Sequence, residues 1–166
     1  MSIYKALSLK GRVNGASYME LVKITDTSEI KQYIGLLYSE LFNEEAVPSN
    51  EVFNHLFSQM NDTNNSHEAY CLKENNETIA FFTLAESFSI FAHGKYGIIN
   101  ELWVAKQFRS KGIGKAVIQE ILKIGTDKKW KRIDVSAPAD EKWNRTFDFY
   151  QKNGFVFTGR KLKIYV

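Results

Sequence analysis

The segment that most restricts the fold lies two thirds of the way along the chain. There, Arg109-Ser110-Lys111-Gly112-Ile113-Gly114-Lys115 joins an apolar run of strand length, Gly97 to Val104, to a stretch carrying Val117, Ile118, Ile121, Leu122 and Ile124 at helical spacing. A strand that passes through two glycines into an amphipathic helix is an α/β connection. Glycine lets backbone approach a ligand closely, and the free amides and dipole of a first helical turn favour an anion. Arg109, Lys111 and Lys115 add positive charge around that point, so a phosphate is the natural guest.

The surrounding periodicities fill in the order of elements. Met19 to Ile24 reads as a strand, and Thr25 to Ser28 offers capping side chains for a helix with Ile30, Ile34, Leu37, Tyr38 and Leu41 on one stripe. Ser49 opens a second helix with Val52, Phe53, Leu56 and Phe57 on one side. Ala69 to Lys73 and Thr78 to Ser87 form an antiparallel hairpin through Glu74-Asn75-Asn76-Glu77. Beyond the glycine loop and its helix, Lys131 to Ala137 reads as a strand and Asn144 to Lys152 as a short helix stopped by Asn153-Gly154. Phe155 to Gly159 and Leu162 to Val166 read as two closing strands. The expectation is a mixed α/β (α+β) single domain over residues 19 to 166, preceded by an arm, residues 1 to 18, to which no role is assigned.

At 166 residues the chain is large enough for one domain with its own core. Its net charge of +3 conceals an uneven distribution, with −9 over residues 26 to 101 and +7 over residues 105 to 133. Such asymmetry suggests an anionic ligand at one place and a cationic one at another. The lone Cys71 excludes an intramolecular disulfide and a cysteine-rich zinc site, and its apolar strand setting reads as a buried small residue. His55, His67 and His93 lie too far apart for a local ligand pair, so no metal is expected. No signal peptide is seen at the N-terminus and no apolar run reaches 18 residues, which predicts a cytoplasmic protein without membrane attachment.

Three phosphate loops compete for residues 109 to 115. A Walker A loop needs Ser or Thr after its lysine, where Ala116 stands. A dinucleotide fingerprint needs a third glycine, where Val117 stands, and a preceding βαβ unit rather than antiparallel strands. What remains is Arg-x-x-Gly-x-Gly after a strand ending in Glu101-Leu-Trp-Val104. With it comes a second motif downstream, Asn144-Arg-Thr-Phe-Asp-Phe149-Tyr150-Gln-Lys-Asn-Gly154-Phe155. Together, one helix and one strand apart, these resemble the two signatures of the GNAT N-acetyltransferase superfamily.

The resemblance implies a mixed sheet, flanked by helices, that splays open beside the strand Gly97 to Val104, with acetyl-CoA as co-substrate in the cleft. By that resemblance the pantetheine adds to the backbone of Leu102, Trp103 and Val104. The pyrophosphate is cradled by Arg109, Ser110, Lys111, Gly112, Ile113, Gly114 and Lys115, and Asn144 hydrogen-bonds the pantetheine amides. Tyr150 takes the family position of the general acid that protonates the departing thiolate. Glu101, on the cleft strand with Ile99 and Trp103 read on its face, is the candidate base for an attacking amine, since an apolar setting raises a carboxyl pKa. Trp143 either packs over the cofactor or bounds the acceptor site.

The expected activity is transfer of an acetyl group to a primary amine of a small molecule or protein, by direct attack in a ternary complex. Glu40, Glu44, Glu45 and Glu51 near the acceptor side favour a cationic acceptor. The alternative is a non-catalytic acyl-CoA-binding sensor or scaffold. Nucleic-acid binding ranks below both, because the basic residues coincide with the phosphate loop and the acidic first half repels a polyanion. Family members are often dimers, so a homodimer is a further expectation.

Overall fold

The computed structural model describes residues 18–42, 47–60, 66–137, 140–159 and 161–166. The expected arm, apart from Tyr18, and Glu44 and Glu45 lie outside the described residues. Strand β1 (Met19–Ile24) is followed by helices α1 (Thr27–Leu41) and α2 (Asn50–Met60), then strands β2 (His67–Glu74), β3 (Glu77–Ser89) and β4 (Gly94–Val104). Helix α3 (Ile113–Asp127), strand β5 (Ile133–Val135) and helix α4 (Asn144–Lys152) complete the order. The sheet runs β1-β2-β3-β4-β5, antiparallel through β4 and parallel between β4 and β5, with α3 as the crossover.

Local chemistry sets the boundaries. Asp26 caps α1 by accepting from the Ser28 amide at 2.8 Å. Ser49 stands before α2, accepting from Phe53 N through its carbonyl and from Val52 N through its hydroxyl. The β2–β3 turn places Asn75 and Asn76 at φ 50° and 66°, the left-handed pair that matches the twist of a two-residue hairpin. Only the Phe53 and Phe57 half of the α2 stripe is buried, and Leu122 of the α3 stripe is exposed, so those two stripes are narrower than the sequence suggests.

Two apolar layers sandwich the sheet. On one face Phe82, Leu84 and Ile99 meet Val117, Ile118 and Ile121 of α3 and Tyr150 of α4. On the other Cys71, Phe81 and Trp103 meet Ile30 and Tyr33 of α1 and Phe53 and Phe57 of α2. Burial pushes the Cys71 thiol up to about 11, which suits packing and not reactivity.

Three expectations are corrected. Ile99 and Trp103 lie on opposite faces, because a bulge in β4 sets Asn100 and Glu101 against the single residue Thr83 and breaks the alternation. Glu101 and Trp103 keep a common face, since both follow the extra residue. The strand expected over residues 131 to 137 forms only at Ile133–Val135. Residues 155 to 159 and 161 to 166 form no strand. Their apolar composition is strand-like, but a strand requires a ladder partner, and Leu162, Ile164 and Tyr165 remain exposed. Phe155 instead turns back, its amide donating to Tyr150 O and its ring meeting the Tyr150 ring at 5.3 Å.

The β4–β5 pairing stops at Ile99–Val135, leaving Asn100 to Val104 without a ladder partner on that side among the described residues. This is the splay that the resemblance implies. The paired end is fixed by Trp130, whose Nε1–H donates to Glu86 at 2.8 Å and whose ring occupies the place where a Gly97 Cβ would fall. Gly97→Ala is therefore expected to destabilise the domain by about 1–3 kcal/mol through overpacking, read as a lower denaturation midpoint. An unchanged midpoint would show the indole free to move.

Candidate active site

The cleft between β4 and α4 has a volume of about 810 Å³. One wall is the open edge of β4, Asn100 to Val104, and the other is Val135, Ser136 and the α4 residues Arg145, Thr146, Phe149 and Tyr150. Helix α1 closes a third side with Leu37, Glu40 and Leu41. The sequence-expected residues Glu101, Leu102, Trp103, Val104 and Tyr150 line it, as do Arg109, Ser110, Gly112, Gly114 and Lys115.

Three others are placed elsewhere. Ile113 is buried in the core at the start of α3, and the Lys111 ammonium lies 5.8 Å from the Phe108 ring centroid. Asn144, the first residue of α4, is exposed and does not line the cleft.

The glycine loop has the shape an anion requires. Ser110 and Gly112 take φ 62° and 85°, turning the chain so that α3 begins with Gly112 as its cap, a residue with no side chain to bond the first amides. Those amides have no acceptor in a preceding turn, and the dipole of a 15-residue helix adds to their pull. Gly114 has a second cause, because a Cβ there would fall 2.8 Å from the Phe149 ring, so its absence lets α4 pack on α3. Arg109, Lys115 and Arg145 surround the loop, and Arg145 Nη2 donates to Ser110 Oγ at 2.6 Å. Capless amides with flanking cations and an unpaired strand edge fit the pyrophosphate and amide-bearing arm of coenzyme A.

At the bulge, the buried Thr83 hydroxyl donates to Glu101 Oε2, and the Glu101 amide donates to Thr83 Oγ1 at 3.3 Å. Burial raises the Glu101 carboxyl above its usual range, against the opposing pull of the Thr83 hydrogen bond and the His67 charge. Across the cleft Tyr150 is buried between Phe149 and Phe155, and burial pushes its phenol up to about 12. The site thus holds one carboxyl poised above the usual range and one phenol protonated throughout the physiological range.

Glu40 connects the two halves. Its carboxylate accepts from Trp103 Nε1 at 3.1 Å and from Arg109 Nη2 at 2.5 Å, while Arg109 Nε donates to Val104 O at 2.8 Å. Trp143 borders both the cleft and a neighbouring hollow of about 730 Å³ that reaches Leu36, Ser39 and Thr78.

Thr83 and Arg145 received no role from the sequence, although each left a trace. Thr83 is the single hydroxyl within the apolar run Ile79 to Ala85, and Arg145 sits beside Asn144 in the second motif. Among the described residues, no cluster of His, Cys, Asp and Glu could hold a metal ion, and no helix is long and apolar enough to cross a membrane.

Comparison with solved structures places the fold. An aminoglycoside acetyltransferase from an uncultured soil metagenomic sample superposes with a TM-score of 0.68 at 20% identity, covering 90% of this chain and 95% of that one. A transcriptional regulator from Bacillus halodurans gives 0.74 at 13% identity, covering 90% and 100%. A ribosomal-protein-alanine N-acetyltransferase from Brucella melitensis gives 0.66 at 18%, covering 91% and 99%. At these identities the likeness concerns the fold. No curated protein sequence matches the chain significantly. The family model for the acetyltransferase (GNAT) family matches residues 31–155, a span that holds the glycine loop, the bulged strand and Tyr150, and the chain belongs to that family.

Proposed function

We propose that the protein transfers an acetyl group from acetyl-CoA to a primary amine by direct attack in a ternary complex. The observation that carries this reading is the placement of Glu101 and Tyr150 on opposite walls of one cleft, beside an open strand edge that ends in a phosphate-shaped loop. Bound acetyl-CoA supplies a thioester, an acyl group on a good leaving sulfur. The first amides of α3, with Arg109, Lys115 and Arg145, hold its phosphates, and the backbone of Leu102 to Val104 pairs with its pantetheine arm. Glu101 accepts the proton of the incoming ammonium, directly or through a water, as its raised pKa permits. The amine nitrogen then bonds to the acyl carbon as the carbon–sulfur bond breaks, Tyr150 donates its proton to the sulfur, and the second proton that the nitrogen sheds as the amide forms restores the phenol through water.

Glu40 of α1 and Glu101 of β4 line the cleft, which supports a cationic acceptor such as a polyamine, an aminoglycoside or a lysine side chain. A cytoplasmic location and a homodimer are part of the same proposal.

Thiol release from acetyl-CoA, followed across a panel of amines at low and high salt, tests the reading. The expected result is turnover that favours cationic amines, with KM rising as salt screens the cleft. A neutral or anionic acceptor without salt effect removes the cationic assignment. Coenzyme A binding with no amine ever acetylated selects the non-catalytic acyl-CoA-binding module.

A further inference from the structure

Arg109, which opens the glycine loop and lines the cleft, is already engaged. Arg109 Nη2 lies 2.5 Å from Glu40 Oε2, and the other Glu40 oxygen holds the Trp103 indole at 3.1 Å. Glu40 belongs to α1, 69 residues away in sequence, and lines the cleft. Glu40, Trp103, Arg109 and Trp143 line both the cleft and the neighbouring hollow, so this contact is the partition between them. The guanidinium also stays fixed at its other end, because Nε donates to Val104 O. Its Nη groups can therefore change partner while the side chain keeps its place.

A phosphate and a carboxylate compete for the same guanidinium face. The Arg109 and Glu40 side chains are 40% and 21% exposed, and a solvent-accessible ion pair of this kind is weak enough to be exchanged. We propose that Glu40 is a positioning residue that pairs with Arg109 and is displaced when a cofactor phosphate takes the guanidinium. Displacement leaves the carboxylate on the Trp103 indole, so the α1 wall responds to cofactor occupancy. The inference rests on the assignment of the loop to the phosphates of acetyl-CoA. It adds an internal anion that opposes their binding.

Calorimetric titration of coenzyme A into the wild type, Glu40→Gln, Arg109→Ala and the double variant tests it without any acetyl transfer. Exchange predicts that Glu40→Gln binds coenzyme A about two- to fivefold more tightly than the wild type. The gain is absent in the Arg109→Ala background, and S-acetylpantetheine, which lacks the pyrophosphate, binds both Glu40 forms equally. Glu40→Ala gives the same sign, so a repacking defect confined to the glutamine variant would be recognised. Weaker or unchanged binding by both Glu40 variants overturns the exchange and makes Glu40 a support or a bystander for Arg109. Absence of coenzyme A binding by the wild type overturns the cofactor assignment itself, and the exchange with it.

Discussion

Glu101→Gln is expected to lower kcat by about 10²- to 10⁴-fold, the range over which a positioned general base acts, while coenzyme A affinity changes little. Glutamine keeps the size and can still bond to Thr83, but it cannot accept the proton of an ammonium. The same variant carries a stability signature with a definite sign. Burial raises the Glu101 carboxyl in the folded protein above its ordinary value, so the folded state holds that proton more tightly than the unfolded chain. The group's stabilising contribution is fully present below the ordinary carboxylate range, and it is lost as pH rises through the raised value. Glutamine does not titrate, so the Tm of Glu101→Gln relative to wild type should increase from pH about 4 to pH about 8. A kcat within a factor of about 3 of wild type on the best amine would remove Glu101 from proton transfer. A Tm difference that shrinks as pH rises would contradict the burial argument.

Tyr150→Phe is expected to reduce kcat by about 10²-fold or more with KM for acetyl-CoA nearly unchanged, because only the proton donor to the sulfur is lost. The ring contacts with Phe149 and Phe155, at 5.2 and 5.3 Å, survive the substitution, so Tm should hold or rise slightly as a desolvated hydroxyl is removed. With the phenol pushed up to about 12, wild-type kcat should show no alkaline loss from Tyr150 up to pH about 10. Full activity in the phenylalanine variant would reduce Tyr150 to a packing residue. A basic limb in kcat that disappears in the variant would mean that the phenol titrates far lower than its burial implies.

Much of the site could be read along the chain because its parts are local. The glycines, the flanking cations and the helix they introduce fall within residues 109 to 127, where spacing alone specifies a turn, a free helix end and an apolar stripe. The second motif likewise holds Tyr150, Gly154 and Phe155 within one helix and its stop. Gly114 was legible as a glycine for close approach, whereas its contact with Phe149 of α4 was not, since packing between helices leaves no trace in spacing.

The parts the sequence could not supply are those made by pairing across long separations. Periodicity assigns Glu101 to a face only if alternation holds, and one extra residue opposite Thr83 reverses that assignment for everything before it. The partnership of Glu40 with Trp103 and Arg109 joins positions more than 60 residues apart, so composition registers only an acidic helix and a basic loop. The closing strands read at Phe155 to Gly159 and Leu162 to Val166 failed for the same reason. Apolar alternation supplies a propensity, but backbone hydrogen bonds need a partner, and β5 has only three residues. The sequence by itself determined the order of elements from β1 to α4, the anion loop and the tyrosine helix, since each is fixed by neighbours within a few turns of chain. Only the tertiary structure decided where β4 parts from β5, which face Glu101 takes and what holds Arg109, because these depend on register and burial that no local pattern encodes.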